Sequence, residues 1–185
     1  MLKWLLHRKL REFEREHGYD ASFMHEVLDA DLRAFLKFAR ATGLGTYRRD
    51  VPFEVYVAAG LTSSIQADCG PCTQLGVGFA LREGVAPATI AAVVKGDLAA
   101  MSDEVALGVR FAGAVLARDP AADACREEVL RRWGPRAVVA LAFAVMAGQL
   151  YPTLKYALGH GKSCTRIVVA GQAVSPARRL ATETA

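Results

Sequence analysis

The stretch Ala67-Asp68-Cys69-Gly70-Pro71-Cys72-Thr73-Gln74-Leu75 decides how this chain is read. It sets a C-x-x-C at the head of a helical run, and two thiols at that spacing close a disulfide reversibly, which points to redox chemistry. Pro71 suits the first turn of a helix, where its missing N–H costs nothing. Both sulfurs then lie beside the positive end of the helix dipole, and that field favours thiolate over thiol. The thiolate is the form that attacks a disulfide sulfur or a peroxide oxygen.

Working outward, a helix is predicted from the C-x-x-C to Gly84. Upstream, Pro52 opens a helix over Phe53 to about Gln66, whose Gly60, Ser63 and Ser64 allow close helix contacts. The polar stretch Thr46 to Asp50 reads as a short loop, with no domain boundary. Before it, Asp20 and Ser22 offer N-caps for one helix to about residue 42, with Leu28, Leu32, Phe35, Leu36 and Ala39 at helical spacing, stopped by Gly43 and Gly45. Residues 1–17 form a further helix ended by Gly18. Its Trp4, Leu5 and Leu6 near Lys3 and Arg8 suit a membrane surface, but packing on its own core or a partner subunit is the commoner use of such a face.

Downstream, Pro87 opens a short helix that Lys95 and Gly96 end, and Ser102-Asp103-Glu104 starts another that runs to Arg118. After Asp119-Pro120 come a polar helix to Trp133, the Gly134-Pro135 punctuation and a long apolar helix from Arg136 to about Leu158, which Pro152 should kink or restart. Beyond Gly159, Ile167-Val168-Val169-Ala170 is β-like, and polar residues that should fray follow it.

The totals agree with this outline. Apolar residues make up 52% of the 185 but aromatics only 8%, so the apolar content is largely Ala, Val and Leu, a mix that packs helices. An all-α protein is expected, with one domain over 1–185: N-terminal helices 1–50, a core 51–158 and a tail 159–185. The net charge of +4 comes from scattered basic residues and two terminal groups, Arg8, Lys9 and Arg11 at one end and Arg178 and Arg179 at the other. No basic stripe interleaved with aromatics is present, so nucleic-acid binding is not expected. The apolar start is too short for a signal core, and four cysteines are too few for a secreted scaffold, which makes the cytoplasm the expected compartment. The longest run free of charged and strongly polar residues, Ala137 to Gly148, falls short of the ~20 residues a spanning helix needs. It reads as a buried central helix.

The C-x-x-C stretch, with Ala80-Leu81-Arg82-Glu83-Gly84-Val85, Ile90 to Gly96, Glu104-Val105-Ala106-Leu107 and Phe111-Ala112, resembles the carboxymuconolactone decarboxylase and alkyl hydroperoxidase AhpD-like family. The resemblance covers roughly residues 50–118 well. It implies an all-helical, commonly homo-oligomeric fold that reduces organic hydroperoxides, with Cys72 peroxidatic and Cys69 resolving, and with a separate dithiol as electron donor. The chain itself leaves that order open, because a helix N-terminus activates either thiol. Nothing in the sequence asks for a cofactor.

This chain departs from the hydroperoxidase pattern at two places. Gly76 stands where the family has a histidine, and Val57 stands where it has a glutamate. Peroxide cleavage needs a proton for the leaving alkoxide, help typically worth ~10²- to 10⁴-fold. Glu54, close to one turn from Val57, is the leading proton carrier, though a first-turn acid after Pro52 also has a purely stabilising use. Asp68 is either a residue that starts the helix or a charge that raises the thiol pKa. Gln74 is a candidate hydrogen-bond donor to a bound substrate. Thioredoxin carries the same tetrapeptide, but after a strand, and no strand alternation lies upstream here.

Three other readings bear on the same residues. His160 and Cys164 have an H-x3-C spacing that, with Cys69 and Cys72, would make a four-ligand zinc site; a chain with its own core has little need of one, and no metal is expected. His160 is then a turn residue, Cys164 a buried small thiol and Cys125 structural. His7, His17 and His25 have no ligand-like spacing. Disulfide exchange is the second use of a reactive dithiol, and a non-catalytic helical oligomer is the alternative that needs no reaction.

Overall fold

The computed structural model describes residues Met1–Ala177; Arg178 and Arg179 lie outside the described residues. Nine α-helices and one small hairpin are found among the described residues. The helices are α1 (Leu2–His17), α2 (Ser22–Ala30), α3 (Leu32–Thr42), α4 (Phe53–Gln66), α5 (Gly70–Arg82), α6 (Pro87–Lys95), α7 (Asp103–Ala117), α8 (Ala121–Trp133) and α9 (Pro135–Ala157). Strands β1 (Ile167–Val169) and β2 (Gln172–Val174) pair antiparallel. The all-α expectation holds apart from that hairpin.

The centre is α4, packed by α5, α6, α7 and α9. Its sequence explains the position: Val55, Ala58, Ala59, Leu61 and Ile65 bury apolar surface on several faces, and a helix apolar all round belongs inside. Its hydroxyls are satisfied locally. Thr62 donates to the Ala58 carbonyl at 2.8 Å and Ser63 to the Val145 carbonyl at 2.7 Å, so burying them carries little desolvation cost. Glycine sets the helix spacing on two sides. A Cβ on Gly148 of α9 would stand 2.9 Å from the Gly60 carbonyl, and one on Gly108 of α7 would stand 2.8 Å from the Val55 carbonyl.

Helix α9 is long and apolar enough, by length and composition alone, to cross a membrane; in this fold its Ala137, Ala140, Leu141, Ala144 and Val145 pack on the α4 and α7 side of the core. It runs through Pro152 as one helix rather than restarting there.

The N-terminal part corrects one expectation. Residues 22–42 are two helices, because Asp31 adopts an extended conformation and its carboxylate accepts the Arg33 N–H at 2.8 Å, an N-cap inside an unbroken apolar period. Ser22 is the first residue of α2 rather than its cap, and Asp20 accepts the Ser22 N–H at 3.0 Å. Helix α1 packs on α2, and Leu6, Leu10 and Phe13 join Tyr19, Phe23, Met24 and Leu28 in a cluster of their own, while Leu2 and Trp4 stay exposed.

The tail departs further. Instead of fraying after Ala170, the chain turns at Ala170-Gly171, both at positive φ, as a two-residue hairpin requires, and returns as β2. Ile167, Val169 and Val174 are buried against the cluster of α5 and α6 residues around Val77 and Ile90.

Candidate functional site

Cys69 caps the N-terminus of α5, and Cys72 lies in its first turn with Pro71 between them. The two are joined as a disulfide, with their Cα atoms 5.3 Å apart. Their surroundings differ. Cys69 is 0% exposed, whereas Cys72 is half-buried and lines a cavity of about 550 Å³.

A strap, residues 160–166, runs over the start of α5 and is tied to the residues on either side of Cys69. Gly70 donates its N–H to the Lys162 carbonyl at 3.1 Å, and a Cβ on Gly70 would stand 2.7 Å from the Ser163 carbonyl. Asp68, at φ 51°, accepts the Cys164 N–H at 2.7 Å, and its carbonyl accepts the Tyr156 hydroxyl at 3.0 Å. Asp68 precedes the Cys69 cap, and its carboxylate anchors the strap rather than capping the helix. Beneath it the Thr73 hydroxyl donates to the Cys69 carbonyl at 3.0 Å, and Cys164 Sγ lies 3.7 Å from the Thr73 oxygen. Burial pushes the Cys164 thiol pKa up, with Asp68 adding to the rise, so Cys164 stays a thiol.

The cavity lies between the N-terminal cluster and the central helices. Its walls are mostly apolar, from Leu10, Phe13, Phe23, Phe53, Val57, Leu61, Leu75 and Phe79, with Arg48 and Glu83 paired at 3.7 Å among its polar residues. Gly76 and Val57 are both on the wall. A Cβ on Gly76 would stand 3.0 Å from Leu61, so the bare glycine helps to keep the space open.

Two predicted site residues are not brought to this cavity. Glu54 is exposed in the first turn of α4 and does not line it, although its neighbours Phe53 and Val57 do. Gln74 lies on the far side of α5, where its amide pairs with strand β1: Nε2 donates to the Val168 carbonyl at 2.9 Å and Oε1 accepts the Val168 N–H at 2.8 Å. Its hydrogen-bonding groups serve the hairpin, not a substrate.

The residues that do face Cys72 were not singled out in the sequence. The Tyr19 hydroxyl, from the turn between α1 and α2, lies 3.8 Å from Cys72 Sγ; with sulfur in a disulfide, the hydroxyl is the only possible donor of the two. Behind it, Lys155 Nζ of α9 donates to the Tyr19 oxygen at 3.3 Å. Lys155 is only 2% exposed, and its Nζ stands over the rings of Tyr19 and Phe23, at 4.6 and 5.0 Å from their centroids. Burial pulls the Lys155 pKa below the usual lysine range, while Asp20 pushes it up and Lys162 down. Burial holds the Tyr19 hydroxyl above its ordinary pKa, helped by Tyr151 and Asp20, so it remains an O–H donor.

His17 stacks on Phe13 and meets Phe79 edge to face behind the cavity wall, and His7, His25, His160 and Cys125 are placed elsewhere. His160 engages the Ser22 hydroxyl at 3.2 Å through Nδ1 and Glu26 at 2.8 Å through Nε2, so neither nitrogen is turned to the sulfurs. Among the described residues no group of three or more His, Cys, Asp or Glu side chains is arranged to hold a metal ion. Cys125 packs against the cluster around Val129 and Leu141, and burial raises its thiol pKa. His7 and His25 stack with ring centroids 4.9 Å apart, each near a carboxylate, Asp29 and Glu14 respectively.

A bonded C-x-x-C with one buried sulfur and one sulfur on an apolar cavity is compatible with reversible dithiol chemistry, and it is the feature on which a functional reading rests, because no family model, curated protein or solved structure matches the chain.

Proposed function

We propose that this chain is an AhpD-like dithiol redox protein that reduces organic hydroperoxides, with Cys72 as the attacking thiol and Cys69 as the resolving one. The observation that carries the reading is the unequal placement of the two sulfurs: Cys72 lines the apolar cavity while Cys69 is fully buried away from it. A small substrate with an apolar body that enters the cavity meets Cys72 and not Cys69. Further support is that Val57 and Gly76, the places where the resemblance puts a glutamate and a histidine, both line this cavity, as a peroxide pocket at that spot requires.

In the reduced protein the Cys72 thiolate attacks the hydroxyl-side oxygen of the hydroperoxide. The S–O bond forms as the O–O bond breaks, and the alcohol leaves as an alkoxide that takes up a proton. Cys72 is now a sulfenic acid. The Cys69 thiolate attacks the Cys72 sulfur, the S–S bond forms, and the departing hydroxide is protonated to water. An external dithiol returns the pair to the reduced state by exchange. The sum is hydroperoxide plus dithiol giving alcohol, water and the external disulfide.

The test is mass spectrometry of the reduced protein after one equivalent of cumene hydroperoxide. A loss of two hydrogens is expected at a Cys69–Cys72 bridge, faster than for a free small-molecule dithiol. Cys72→Ser should abolish peroxide consumption, and Cys69→Ser should leave a sulfenic acid on Cys72 that dimedone traps. Bridge formation no faster than in the free dithiol, or consumption retained by Cys72→Ser, would overturn the assignment.

A further inference from the structure

Reduction of a hydroperoxide leaves an alkoxide that needs a proton, and neither of the family's relay positions supplies one in this chain. The cavity wall does carry a donor. We infer that the Tyr19 hydroxyl gives that proton and that Lys155, buried behind it, holds and re-protonates Tyr19; the inference rests on the hydroperoxide reading above.

The geometry is a short chain of contacts from buried charge to sulfur. Lys155 Nζ stands 3.3 Å from the Tyr19 oxygen and donates to it, which turns the tyrosine O–H away from the lysine and toward Cys72 Sγ at 3.8 Å. Tyr19 and Cys72 both line the cavity. In a reactive pose the attacked oxygen lies ~3–3.5 Å from sulfur and the leaving oxygen one O–O bond beyond it, on the cavity side that the Tyr19 hydroxyl lines, where that hydroxyl can donate to it. Among the described residues no carboxylate hydrogen-bonds Lys155, and a buried ammonium without such a partner is costly to keep. Among the described residues Tyr19 is its one hydrogen-bond acceptor, and the two ring faces add further stabilisation.

The proton count closes. Cys72 reaches the thiolate by releasing its proton to solvent. As the O–O bond breaks, the alkoxide takes the Tyr19 proton, Tyr19 takes one from the Lys155 ammonium, and Lys155 recovers it from solvent. No electrons beyond those of the dithiol are involved. Tyr19 is the proton donor and Lys155 the positioning residue that acts through it.

The experiment compares Tyr19→Phe and Lys155→Met with the native protein in single turnovers against two oxidants. One is tert-butyl hydroperoxide, whose alkoxide needs a proton. The other is peracetic acid, whose leaving acetate does not. Each protein is assayed at a pH where its Cys72 alkylates at the plateau rate, so thiolate formation does not enter. Tyr19→Phe keeps the ring, and its rate with tert-butyl hydroperoxide should fall by about 10²-fold or more while its rate with peracetic acid stays within about twofold of native. Lys155→Met should fall in the same oxidant-dependent way. The peracid rate also reports that each variant is folded around Cys72. Native rates for Tyr19→Phe with both oxidants, or equal losses with both, would overturn the inference, the second because it marks packing rather than proton donation. If the native protein forms no Cys69–Cys72 bridge faster than a free dithiol with either oxidant, the hydroperoxide reading fails and the relay falls with it. A fast native reaction with an indifferent Tyr19→Phe sinks the relay alone.

Discussion

Gln74→Leu tests how the hairpin that follows the strap is held on α5. Val168 sits opposite Ala173 in the hairpin, yet both its backbone groups go to the Gln74 amide, at 2.8 and 2.9 Å. The side chain acts as a third strand on the free edge of β1, on which a short hairpin depends for stability. Leucine has nearly the same helix propensity and a similar size, so α5 should stand and only the clamp be lost. Two neutral hydrogen bonds are worth ~0.5–1.5 kcal/mol each, and because Val168 is exposed the freed groups rehydrate, which favours the low end, about 1–2 kcal/mol for the pair. That corresponds to a roughly 5–30-fold shift in the local opening equilibrium. Amide hydrogen exchange reads it directly: the Val168 amide should exchange about 5–30 times faster in Gln74→Leu, with smaller increases at Gly70 and Cys164, whose amides donate to Lys162 and Asp68, and none at Val77 inside α5. A Val168 amide that exchanges at the native rate would show that Gln74 is no clamp and return it to the list of groups free to meet a substrate.

Two further outcomes follow from contacts elsewhere. Gly148→Ala would place a methyl 2.7 Å from Ser63 Oγ and 2.9 Å from the Gly60 carbonyl, where α4 and α9 cannot part without disturbing the core; a loss of about 1–3 kcal/mol is expected, at about 2–4 °C of melting temperature per kcal/mol, and an unchanged melting curve would contradict the close approach. Asp20 is held below the usual carboxylate range first by hydrogen bonds from Ser22 and then by Lys162, so its folded pKa is below its unfolded one; its stabilising effect is full above about pH 4 and drains away as pH falls further, and Asp20→Asn should flatten that acid limb in urea melts compared at pH 5 and pH 3.

The helix boundaries were legible where glycine or proline does a specific backbone job. Gly18 and Gly96 end α1 and α6 in the left-handed region, where glycine carries no Cβ penalty, and Pro87 and Pro135 begin α6 and α9. The break at Asp31 was not, because the apolar period of Leu28, Leu32 and Phe35 continues across it and masks an ordinary N-cap. The hairpin was half legible: a β-like run at 167–170 is visible, but the Ala170-Gly171 turn that returns it makes sense only once α5 offers an edge. Gln74 follows Cys72 closely, and the turn of α5 carries it to the face that meets β1, whereas Glu54 belongs to α4, where it is exposed although its neighbours Phe53 and Val57 line the cavity.

Tyr19 and Lys155 show why the remainder of the site was out of reach. They lie 136 positions apart, and each has an ordinary local use, a tyrosine after a helix-ending glycine and a lysine in the last turn of α9, where its charge suits the helix dipole. Only packing makes them unusual, since α2 and α9 close on each other around Phe23 and leave the lysine 2% exposed with a phenol as its hydrogen-bond partner. In the AhpD-like reading this also explains how Val57 and Gly76 coexist with a working pocket. In the inferred relay the proton comes from the α1–α2 turn and α9 rather than from the α4–α5 wall, and the missing side chain at Gly76 leaves room in the cavity that Tyr19 and Cys72 both line. A histidine put back at Gly76 would have to displace Leu61, 3.0 Å from the Cβ position, and would narrow the space that Tyr19 faces.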